Sequence, residues 1–260
     1  MTGTVLLCPP TWFDVTYSIN PWMRAELVDK NLATSQWLAM KDTLEFLGAE
    51  IELIGQHPNL PDMVFTANAG TVHQNKIVLS NFRYTERKLE RNQFEKWFDE
   101  KGYETYILPD DINFEGCGDT IVSGDRMMAG YGFRSDLKAL RRTAEILELE
   151  LLPLKLKNPN FYHLDTCFSL LREDFAIYYP GAFSKHTIKK IKDIELYAVT
   201  EEEANRFACN SIVYKNHVLM PAGNEGLKYM LYESGFNVHL LDTSEFLKSG
   251  GALQCMALWI

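Results

Sequence analysis

Segments with helical periodicity alternate with short strand-like segments along most of the chain. Apolar residues spaced as on one face of a helix predict helices over 24–47, 85–101, 135–147, 184–194 and 226–234. Thr85 and Ser135 are the expected N-caps of the second and third helices. A strand-like segment follows each helix, at 50–54, 103–108, 149–152, 195–199 and 236–241. The pattern therefore predicts a recurring helix–strand unit.

A second pattern lies between these units, in which one polar residue is followed at once by an apolar run. In chain order this residue is Asn68, Asp119, Asp165, Asn210 and Cys255, at steps of 51, 46, 45 and 45 residues. A fixed period of this kind indicates a repeat architecture. Each of the first four runs continues through a tight turn into another apolar run, which predicts a β-hairpin.

The last copy of the pattern holds only its first strand, over 256–260, and a matching second strand is found at 4–10. The segment 4–10 is similar to 177–181 and 218–222, which are the second strands of other copies. We therefore expect the N-terminal strand to pair with the C-terminal one and to close a ring of modules. A closed ring is a single domain, predicted over 1–260.

Equivalent positions of a closed ring converge near its axis. The recurring polar positions should therefore line one central cavity, with the preceding loops around its mouth. An alternative is that each polar side chain only caps its own turn through hydrogen bonds to the backbone. Cys255 fits that alternative poorly because a thiol is a weak hydrogen-bonding group.

Composition and charge narrow the classes of partner. The chain of 260 residues is 46% hydrophobic and 23% charged, which is typical of a soluble globular protein. Its net charge of −9 argues against a nucleic-acid partner, for which a basic surface is expected. The acidity is compatible with attraction of a cationic small molecule, and it is equally explained by solubility alone.

The sequence indicates a cytoplasmic protein without a membrane partner. Residues 1–4 lack a basic region, the apolar run 5–7 is too short for a secretory signal, and no segment is long enough to cross a membrane. Five cysteines without CxxC spacing predict neither a disulfide framework nor a zinc site. Reduced cysteines are then the expected state. The oligomeric state is not determined by the sequence, and a homo-oligomer stays open.

Cys255 is the candidate nucleophile, since a thiol stands where the other copies have an amide or a carboxylate. It follows Ser249-Gly250-Gly251, where backbone can approach a ligand closely. His163 lies two residues before one of the cavity positions, and a cysteine paired with a nearby histidine is the usual arrangement of a thiol nucleophile. Glu115 and Asp62 occupy the matching loops of two other modules.

The motifs 60–70 (LPDMVFTANAG), 114–119 (FEGCGD), 163–166 (HLDT) and 249–251 with Cys255 resemble those of the pentein superfamily of guanidine-modifying enzymes, in the same order. This superfamily includes the arginine deiminases, the dimethylarginine dimethylaminohydrolases, the amidinotransferases and the arginine dihydrolases. The resemblance implies an α+β fold of the α/β-propeller kind, with five ββαβ-type modules around a pseudo-fivefold axis. It also implies chemistry without a metal or an organic cofactor.

The resemblance implies a role for each candidate residue. Cys255 would attack the guanidino carbon and form a covalent thiouronium intermediate. His163 would protonate the leaving amine and then activate water. Glu115 would hold the guanidinium through charge-assisted hydrogen bonds, and Asp165 would orient His163. Asp62 and Asp119 are further expected substrate contacts.

The other end of the substrate is expected to need a carboxylate clamp. Arg83 and Arg134 stand at equivalent places after two hairpins and resemble family positions that bind the α-carboxylate. Arginine suits this role because its guanidinium forms bidentate hydrogen bonds. Asn20, in the N-terminal loop, is a further candidate contact.

Asn68 is the position that discriminates among the members of the superfamily. The resemblance implies an acidic residue here in the deiminases and the dimethylarginine enzymes, whereas the segment 65–70 is similar to that of the arginine dihydrolases. These convert arginine to ornithine, ammonia and carbon dioxide. An amide both donates and accepts hydrogen bonds, so it could also hold the neutral ureido group of citrulline for a second hydrolysis.

The predicted function is therefore a cysteine-dependent hydrolase of arginine, foremost an arginine dihydrolase. Alternatives within the class are a dimethylarginine dimethylaminohydrolase and an arginine deiminase, while the amidinotransferases generally have longer chains. A non-enzymatic alternative is a ribosome-binding factor with the same fold, which has no need of Cys255, His163 and Glu115 together.

Overall fold

A computed structural model describes residues 3–24 and 27–260. Within these ranges the chain has a mixed α/β fold with five three-stranded sheets. The strands are β1 (Thr4–Leu7), β2 (Glu50–Leu53), β3 (Gly70–His73), β4 (Lys76–Leu79), β5 (Glu104–Tyr106), β6 (Thr120–Ser123), β7 (Arg126–Tyr131), β8 (Glu150–Lys155), β9 (Phe168–Arg172), β10 (Phe175–Tyr178), β11 (Glu195–Ala198), β12 (Ile212–Tyr214), β13 (His217–Pro221), β14 (Asn237–Leu241) and β15 (Leu258–Trp259). The helices are α1 (Lys30–Phe46), α2 (Glu90–Glu100), α3 (Leu137–Leu147), α4 (Lys185–Ile188), α5 (Glu201–Asn205), α6 (Glu225–Glu233) and α7 (Ser244–Leu247).

Four of the sheets repeat one connection: an antiparallel hairpin whose second strand pairs in parallel with a later strand. They are β3-β4-β5, β6-β7-β8, β9-β10-β11 and β12-β13-β14. The fifth sheet has the order β15-β1-β2, in which Val5 lies opposite Trp259 in antiparallel pairing and opposite Ile51 in parallel pairing. The predicted pairing of the N-terminal and C-terminal strands is therefore confirmed.

The hairpins were predicted closely, but several helix ends differ from the prediction. α1 begins at Lys30, after Asp29 accepts hydrogen bonds from the first backbone N–H groups; residues 25 and 26 of the predicted helix lie outside the described ranges. Thr85 is not an N-cap, because 85–89 form turns before α2. Ser135 is not an N-cap either, since its hydroxyl accepts from the Glu115 backbone N–H at 3.0 Å.

The helix predicted over 226–234 is confirmed as α6, whereas the one before it differs. The predicted helix over 184–194 is a single turn, α4, and Asp193, between α4 and β11, has a φ of 62°. α5 and α7 were not predicted. α5 is short but well capped, because Thr200 and Glu203 form a reciprocal capping box.

Four of the five recurring polar residues lie in or directly after a one-turn 3-10 segment that precedes a strand, namely Asn68, Asp119, Asp165 and Cys255, whereas Asn210 follows the turn over 206–209 after α5. Three of these turns, Thr66–Ala69, Gly116–Gly118 and Leu164–Thr166, contact one another in succession, and Gln254–Met256 contacts the first. The approach of the first two is close: a Cβ on Gly116, whose φ is +52°, would lie 2.6 Å from the Gly70 carbonyl oxygen. These turns therefore bring the polar positions together.

Apolar side chains are buried between the sheets and the helices. Phe94 and Phe98 of α2 pack with Ile77 and Leu79 of β4, and Leu140 and Ala144 of α3 pack with Met127 of β7. No helix within the described ranges combines the length and the apolar character that spanning a bilayer requires.

Candidate active site

Most of the side chains expected to meet the substrate line one enclosed cavity. From the predicted set these are Asn20, Asp62, Asn68, Arg134 and Cys255. Side chains that were not predicted also line it, namely Ile19, Met23, Phe65, Arg87, Tyr162 and Ser249, together with Gly251. The free volume is about 10 Å³, the space of roughly one water molecule. An amino acid therefore enters only when a wall moves, and the segment 19–23 is a loop.

The Cys255 thiol is held between an acid and an amide. Its Sγ donates to Asp165 Oδ2 at 3.2 Å, and Asn210 Nδ2 donates to Sγ at 3.1 Å. The Cys255 backbone N–H donates to Asn210 Oδ1 at 3.2 Å, which fixes the Asn210 amide. Burial, and next the charge of Asp165, raise the pKa of Cys255 well above its usual value. Cys255 is therefore a thiol at rest, and a nucleophilic role requires that it first lose this proton.

Asp165 contacts the nucleophile rather than the histidine that it was expected to orient. Burial raises the pKa of Asp165 to about 7, although hydrogen bonds from Cys255 and Asn210 act to lower it. Its other carboxylate oxygen, Oδ1, is buried without a hydrogen-bond partner among the described residues. The acid beside Cys255 can therefore accept the thiol proton near neutral pH.

Glu115 is the carboxylate that holds His163. Its Oε2 accepts from His163 Nε2 at 2.8 Å and from Arg134 Nη1 at 2.7 Å, and its Oε1 accepts from the Arg83 backbone N–H at 3.2 Å. Burial acts to raise the pKa of Glu115, but Arg134 and His163 outweigh burial and hold that pKa well below its ordinary value. Glu115 is therefore an anion that pairs with cationic groups.

Arg134 lies between two aromatic rings beside this carboxylate. Its guanidinium carbon is 4.7 Å from the centre of the Tyr84 ring and 4.5 Å from that of Tyr162. Its Nη2 donates to the Ile19 carbonyl oxygen at 2.9 Å, so it also ties the loop 19–23 to the site. A desolvated guanidinium stacked in this way is held strongly.

The second arginine of the cavity is Arg87, and the prediction of Arg83 is corrected. The Arg83 side chain is exposed, whereas Arg87 is buried and lines the cavity. The turns over 85–89 bring Arg87 inward, onto the Phe82 ring, with 4.6 Å between the guanidinium carbon and the ring centre. Only the Arg83 backbone contributes to the site, through its bond to Glu115.

Arg87 forms a buried pair with Glu90 and also holds Asn68. Its Nε and Nη2 donate to the two Glu90 carboxylate oxygens at 2.9 and 2.8 Å. Its Nη1 donates to Asn68 Oδ1 at 2.8 Å, and its Nη2 donates to the Asp62 carbonyl oxygen at 3.1 Å. Sequence reasoning missed both residues of this pair. The sequence signal that could have indicated the pair is the presence of opposite charges three residues apart, at 87 and 90, near the start of a helix.

Asp62 and Asn20 are both hydrogen-bonded to Ser249. Asp62 accepts from Ser249 Oγ at 2.8 Å and from the Tyr17 hydroxyl at 3.0 Å, and burial raises its pKa above the ordinary value. Asn20 donates to the Ser249 carbonyl oxygen at 3.0 Å, while its side-chain oxygen accepts from two backbone N–H groups of its own loop. The loop of Asn20 is thus joined to the glycine-rich segment before Cys255.

Asp119 is not among the residues that line the cavity, so its expected role as a substrate contact stays a prediction. Its Oδ2 accepts from the Ser135 backbone N–H at 3.1 Å, and its Oδ1 accepts from the Leu164 backbone N–H at 3.2 Å. Burial raises its pKa to about 6. Asp119 therefore joins backbone segments of two neighbouring modules, and the second of these is directly next to His163.

The described residues include no group of three or more histidine, cysteine, aspartate or glutamate side chains that could hold a metal ion. In the same ranges no hydrogen bond joins Cys255 to His163. The site has two parts, a thiol with its acid and amide, and a cluster of Glu115, His163 and Arg134. Asn68 faces the second part, because a Cβ on Gly118 would lie 2.4 Å from Asn68 Nδ2 and 2.9 Å from His163 Nδ1.

Comparison with known proteins shows which proteins share this arrangement of the chain. A family model described as N,N dimethylarginine dimethylhydrolase, eukaryotic, matches residues 16–260. The bifunctional arginine dihydrolase/ornithine cyclodeaminase AgrE of Nostoc sp. is 40% identical over 261 residues, which are 97% of this chain and 37% of that protein. The chain thus spans little more than a third of that relative. The N(G),N(G)-dimethylarginine dimethylaminohydrolase of Mycobacterium tuberculosis is 36% identical over 262 residues, covering 100% of this chain and 86% of that one.

The chain is also similar to solved structures of the same two kinds of enzyme. The N-terminal domain of ArgZ bound to substrate, an arginine dihydrolase from the ornithine-ammonia cycle in cyanobacteria, superposes with a TM-score of 0.94 at 39% identity and covers 98% of this chain and 97% of that domain. A dimethylarginine dimethylaminohydrolase adduct superposes with a TM-score of 0.84 at 22% identity, covering 99% of both chains. That second similarity concerns the fold alone.

Proposed function

Because the chain belongs to the N,N-dimethylarginine dimethylhydrolase family, we propose that it hydrolyses the guanidino group of arginine through Cys255, as an arginine dihydrolase. The observation that carries this proposal is that Cys255 and Asn68 line the same cavity. The Cys255 thiol donates to Asp165, and the Asn68 side-chain oxygen accepts from Arg87 Nη1 at 2.8 Å. The relatives named for arginine dihydrolysis support it, since this chain covers 97% of an ArgZ domain bound to its substrate.

The first hydrolysis begins with loss of the thiol proton from Cys255 to Asp165. The thiolate attacks the guanidino carbon, the bond to a terminal nitrogen breaks, and that nitrogen leaves as ammonia with a proton from His163. This leaves a thiouronium on Cys255. Glu115 holds the cationic group and the histidine together, and the cation itself stabilises the thiolate.

Water then completes the first hydrolysis. His163, now neutral, takes a proton from water, the oxygen adds to the thiouronium carbon, and the carbon–sulfur bond breaks to give citrulline. A positioned general acid–base of this kind typically contributes about 10²–10⁴-fold to the rate. Cys255 is regenerated at the end of this step.

The second hydrolysis repeats the attack on the ureido carbon. The thiolate expels the remaining terminal nitrogen as ammonia and forms a thiocarbamate on Cys255, which a second water releases as a carbamate. The carbamate decomposes to ornithine and carbon dioxide. One arginine and two waters thus give one ornithine, two ammonia and one carbon dioxide, which balances the atoms.

Substrate binding is proposed to use the two cationic side chains of the cavity and its acidic wall. Arg134 offers its remaining N–H groups to the α-carboxylate, with Arg87 beside it, because guanidinium groups bind carboxylates well. Asp62 also lines the cavity, where a carboxylate favours the cationic parts of the amino acid. Asn20 contributes through the loop that closes the mouth.

A dimethylarginine dimethylaminohydrolase is the second candidate, favoured by the family model and by the Mycobacterium tuberculosis relative. Product analysis separates the candidates. Purified protein is incubated with arginine, dimethylarginine or agmatine, with Cys255→Ser as control. We expect ornithine and two ammonia per arginine. Citrulline as the final product would identify a deiminase, and dimethylamine a dimethylargininase. Inertness towards all three would favour a binding protein and overturn the proposal.

We also propose the finer architecture: an α/β propeller with its five sheets around a pseudo-fivefold axis, folded as a single domain. Support comes from the repeated strand order, the contacts between successive 3-10 turns and the closing pair β1–β15. One cooperative unfolding transition is expected. The five free cysteines agree with a reducing compartment such as the cytoplasm.

A further inference from the structure

Arg87 and Glu90 form a buried ion pair that contacts Asn68 through Arg87. Arg87 and Glu90 retain only 4% and 0% of their accessible surface, and both oxygens of Glu90 accept from Arg87. Burial raises the pKa of Glu90 to about 7, against the opposing effect of Arg87. Glu90 does not line the cavity, and among the described residues the hydrogen bonds of its carboxylate come from Arg87, which does line it. A charged pair placed at this depth calls for an explanation beyond stability, because an apolar pair would serve stability equally well.

The pair determines which end of the Asn68 amide faces the substrate. A guanidinium has donors only. Since Arg87 Nη1 donates to Asn68 Oδ1 at 2.8 Å, the oxygen of the amide is directed at Arg87. The nitrogen faces the other way, towards the Glu115 carbonyl oxygen at 3.5 Å and the space beside Gly118. Asn68 is thereby a hydrogen-bond donor on the side of the reaction, and its acceptor is occupied.

A donor at this place discriminates between the first substrate and the first product. The guanidinium of arginine presents only N–H groups, which gain nothing from another donor. The ureido group of citrulline presents a carbonyl oxygen at the same carbon, and a donor amide binds it. A carboxylate at this position would do the reverse, because it accepts hydrogen bonds and favours the cation.

We propose that Glu90 and Arg87 are positioning residues that hold Asn68 as a donor and so commit the enzyme to the second hydrolysis. This rests on the proposed function, in which arginine is the substrate. The pair decides whether the oxygen-bearing first product is retained on the enzyme or released. Asn68 touches that product, and Glu90 acts only through Arg87.

Glu90→Gln tests the proposal, with Glu86→Gln as the matched control on an exposed residue of the same segment. The specificity constants kcat/KM for citrulline and for arginine are measured separately, together with the citrulline released per arginine consumed. We expect the citrulline-to-arginine ratio of kcat/KM to fall about tenfold in Glu90→Gln, as for the loss of one hydrogen bond. The control should keep the wild-type ratio. A purely structural role would lower both constants equally and would overturn the proposal.

A double-variant comparison adds a second, independent readout. Asn68→Asp should give the same low ratio, and Glu90→Gln combined with Asn68→Asp should lower it no further, because both changes act through one amide. Additive effects would overturn the proposal.

If Glu90→Gln does not fold, Arg87→Met combined with Glu90→Leu removes both charges of the pair, a change that buried pairs tolerate. The same fall in ratio is expected there, and an unchanged ratio counts against the proposal. Failure of the proposed function is distinguishable, since the wild-type protein would then form neither citrulline nor ornithine.

Discussion

Asp165 Oδ2 lies 3.2 Å from Cys255 Sγ, so the proposed nucleophile is hydrogen-bonded to a carboxyl group rather than to a histidine. Burial, and next the charge and the hydrogen bond of Asp165, raise the pKa of the thiol, while the hydrogen bond from Asn210 acts to lower it. The relationship keeps the thiol protonated until a cation arrives. It also makes Asp165 the residue through which the reactivity of Cys255 can be altered.

Replacing Asp165 with Asn should make Cys255 more reactive and the enzyme less active. Without the negative charge the pKa of the thiol falls, and we expect alkylation by iodoacetamide at neutral pH to accelerate about tenfold. Mass spectrometry of Cys255-containing peptides measures this. Cys117, whose pKa burial raises to about 11, serves as an internal control that stays unreacted. Slower alkylation in the variant would contradict the prediction.

The same variant should change how stability depends on pH. Burial raises the pKa of Asp165 from 3.8 to about 7, so the folded state keeps a proton that the unfolded state has lost. Its stabilising contribution is complete below pH 3.8 and is lost as the pH rises to about 7. Within that window stability decreases by up to about 1.4 kcal/mol per pH unit.

Asp165→Asn lacks this term. Urea unfolding should therefore show the variant gaining stability relative to the wild type between about pH 5 and pH 7. Asp119, whose pKa is raised to about 6, titrates in both proteins and cancels in the difference. A difference that does not vary with pH would refute this assignment.

Removing His163 should slow both proton transfers of the first hydrolysis. His163→Gln keeps a hydrogen-bonding side chain beside Glu115 but cannot transfer protons, so turnover is expected to fall about 10²–10⁴-fold. Departure of ammonia and attack of water both depend on this residue, so release of ammonia from arginine should slow, and intact-mass measurement after mixing should show no accumulated adduct on Cys255. His186→Gln, an exposed histidine of α4, should behave like the wild type. Equal turnover in the two variants would exclude His163 from proton transfer.

A single methyl group at Gly118 should inactivate the site without unfolding the protein. Its Cβ would lie 2.4 Å from Asn68 Nδ2 and 2.9 Å from His163 Nδ1, so both side chains must move. Displacements of this size typically cost about 100-fold in rate. Gly55→Ala is the matched control because nothing lies within 4 Å of its Cβ position. We expect kcat/KM to fall only in Gly118→Ala, with similar melting temperatures for both.

The two arginines proposed from the sequence should respond differently to truncation. The exposed Arg83 side chain is dispensable, so Arg83→Ala should leave KM for arginine close to the wild-type value. Arg134→Ala leaves the buried Glu115 without its strongest partner, which typically costs about 3–5 kcal/mol, and removes a cation from the cavity. Kinetics and urea unfolding of both variants check this. A larger defect in Arg83→Ala would reverse the assignment.

The sequence predicted the sheets well because a hairpin is indicated by neighbouring residues and the repeat is indicated by the regular spacing of its polar positions. The pairing of β1 with β15 followed from the repeat alone. Helix starts were predicted less well, since tertiary contacts decide them: the Ser135 hydroxyl is taken by the Glu115 backbone rather than by its own helix. Hydrophobic periodicity does not predict this contact, because it joins two segments that are separate along the chain.

The convergence of Cys255, Asp165 and Asn210 was predicted from their equivalent places in the repeat. Arg87 and Glu90 were not, because an arginine and a glutamate three residues apart look the same in sequence whether they are exposed or buried. The choice of Arg83 over Arg87 failed for a related reason: the turns over 85–89 decide which side chain faces inward. Burial of charge is a property of the assembled modules.

The strand pairing β1–β15 places a condition on the order of synthesis. Cys255 lies on the turn directly before β15, and β15 is held by β1, with Val5 opposite Trp259. The entropy of closing so long a loop rises only logarithmically with its length, so the thermodynamic cost is modest. The order of events is nevertheless strict: on the ribosome, residues 4–7 can pair with β2 early, but their pairing with β15 must wait until residues 258–259 have emerged. A nascent chain therefore carries its acid, histidine and arginines long before it carries a positioned thiol.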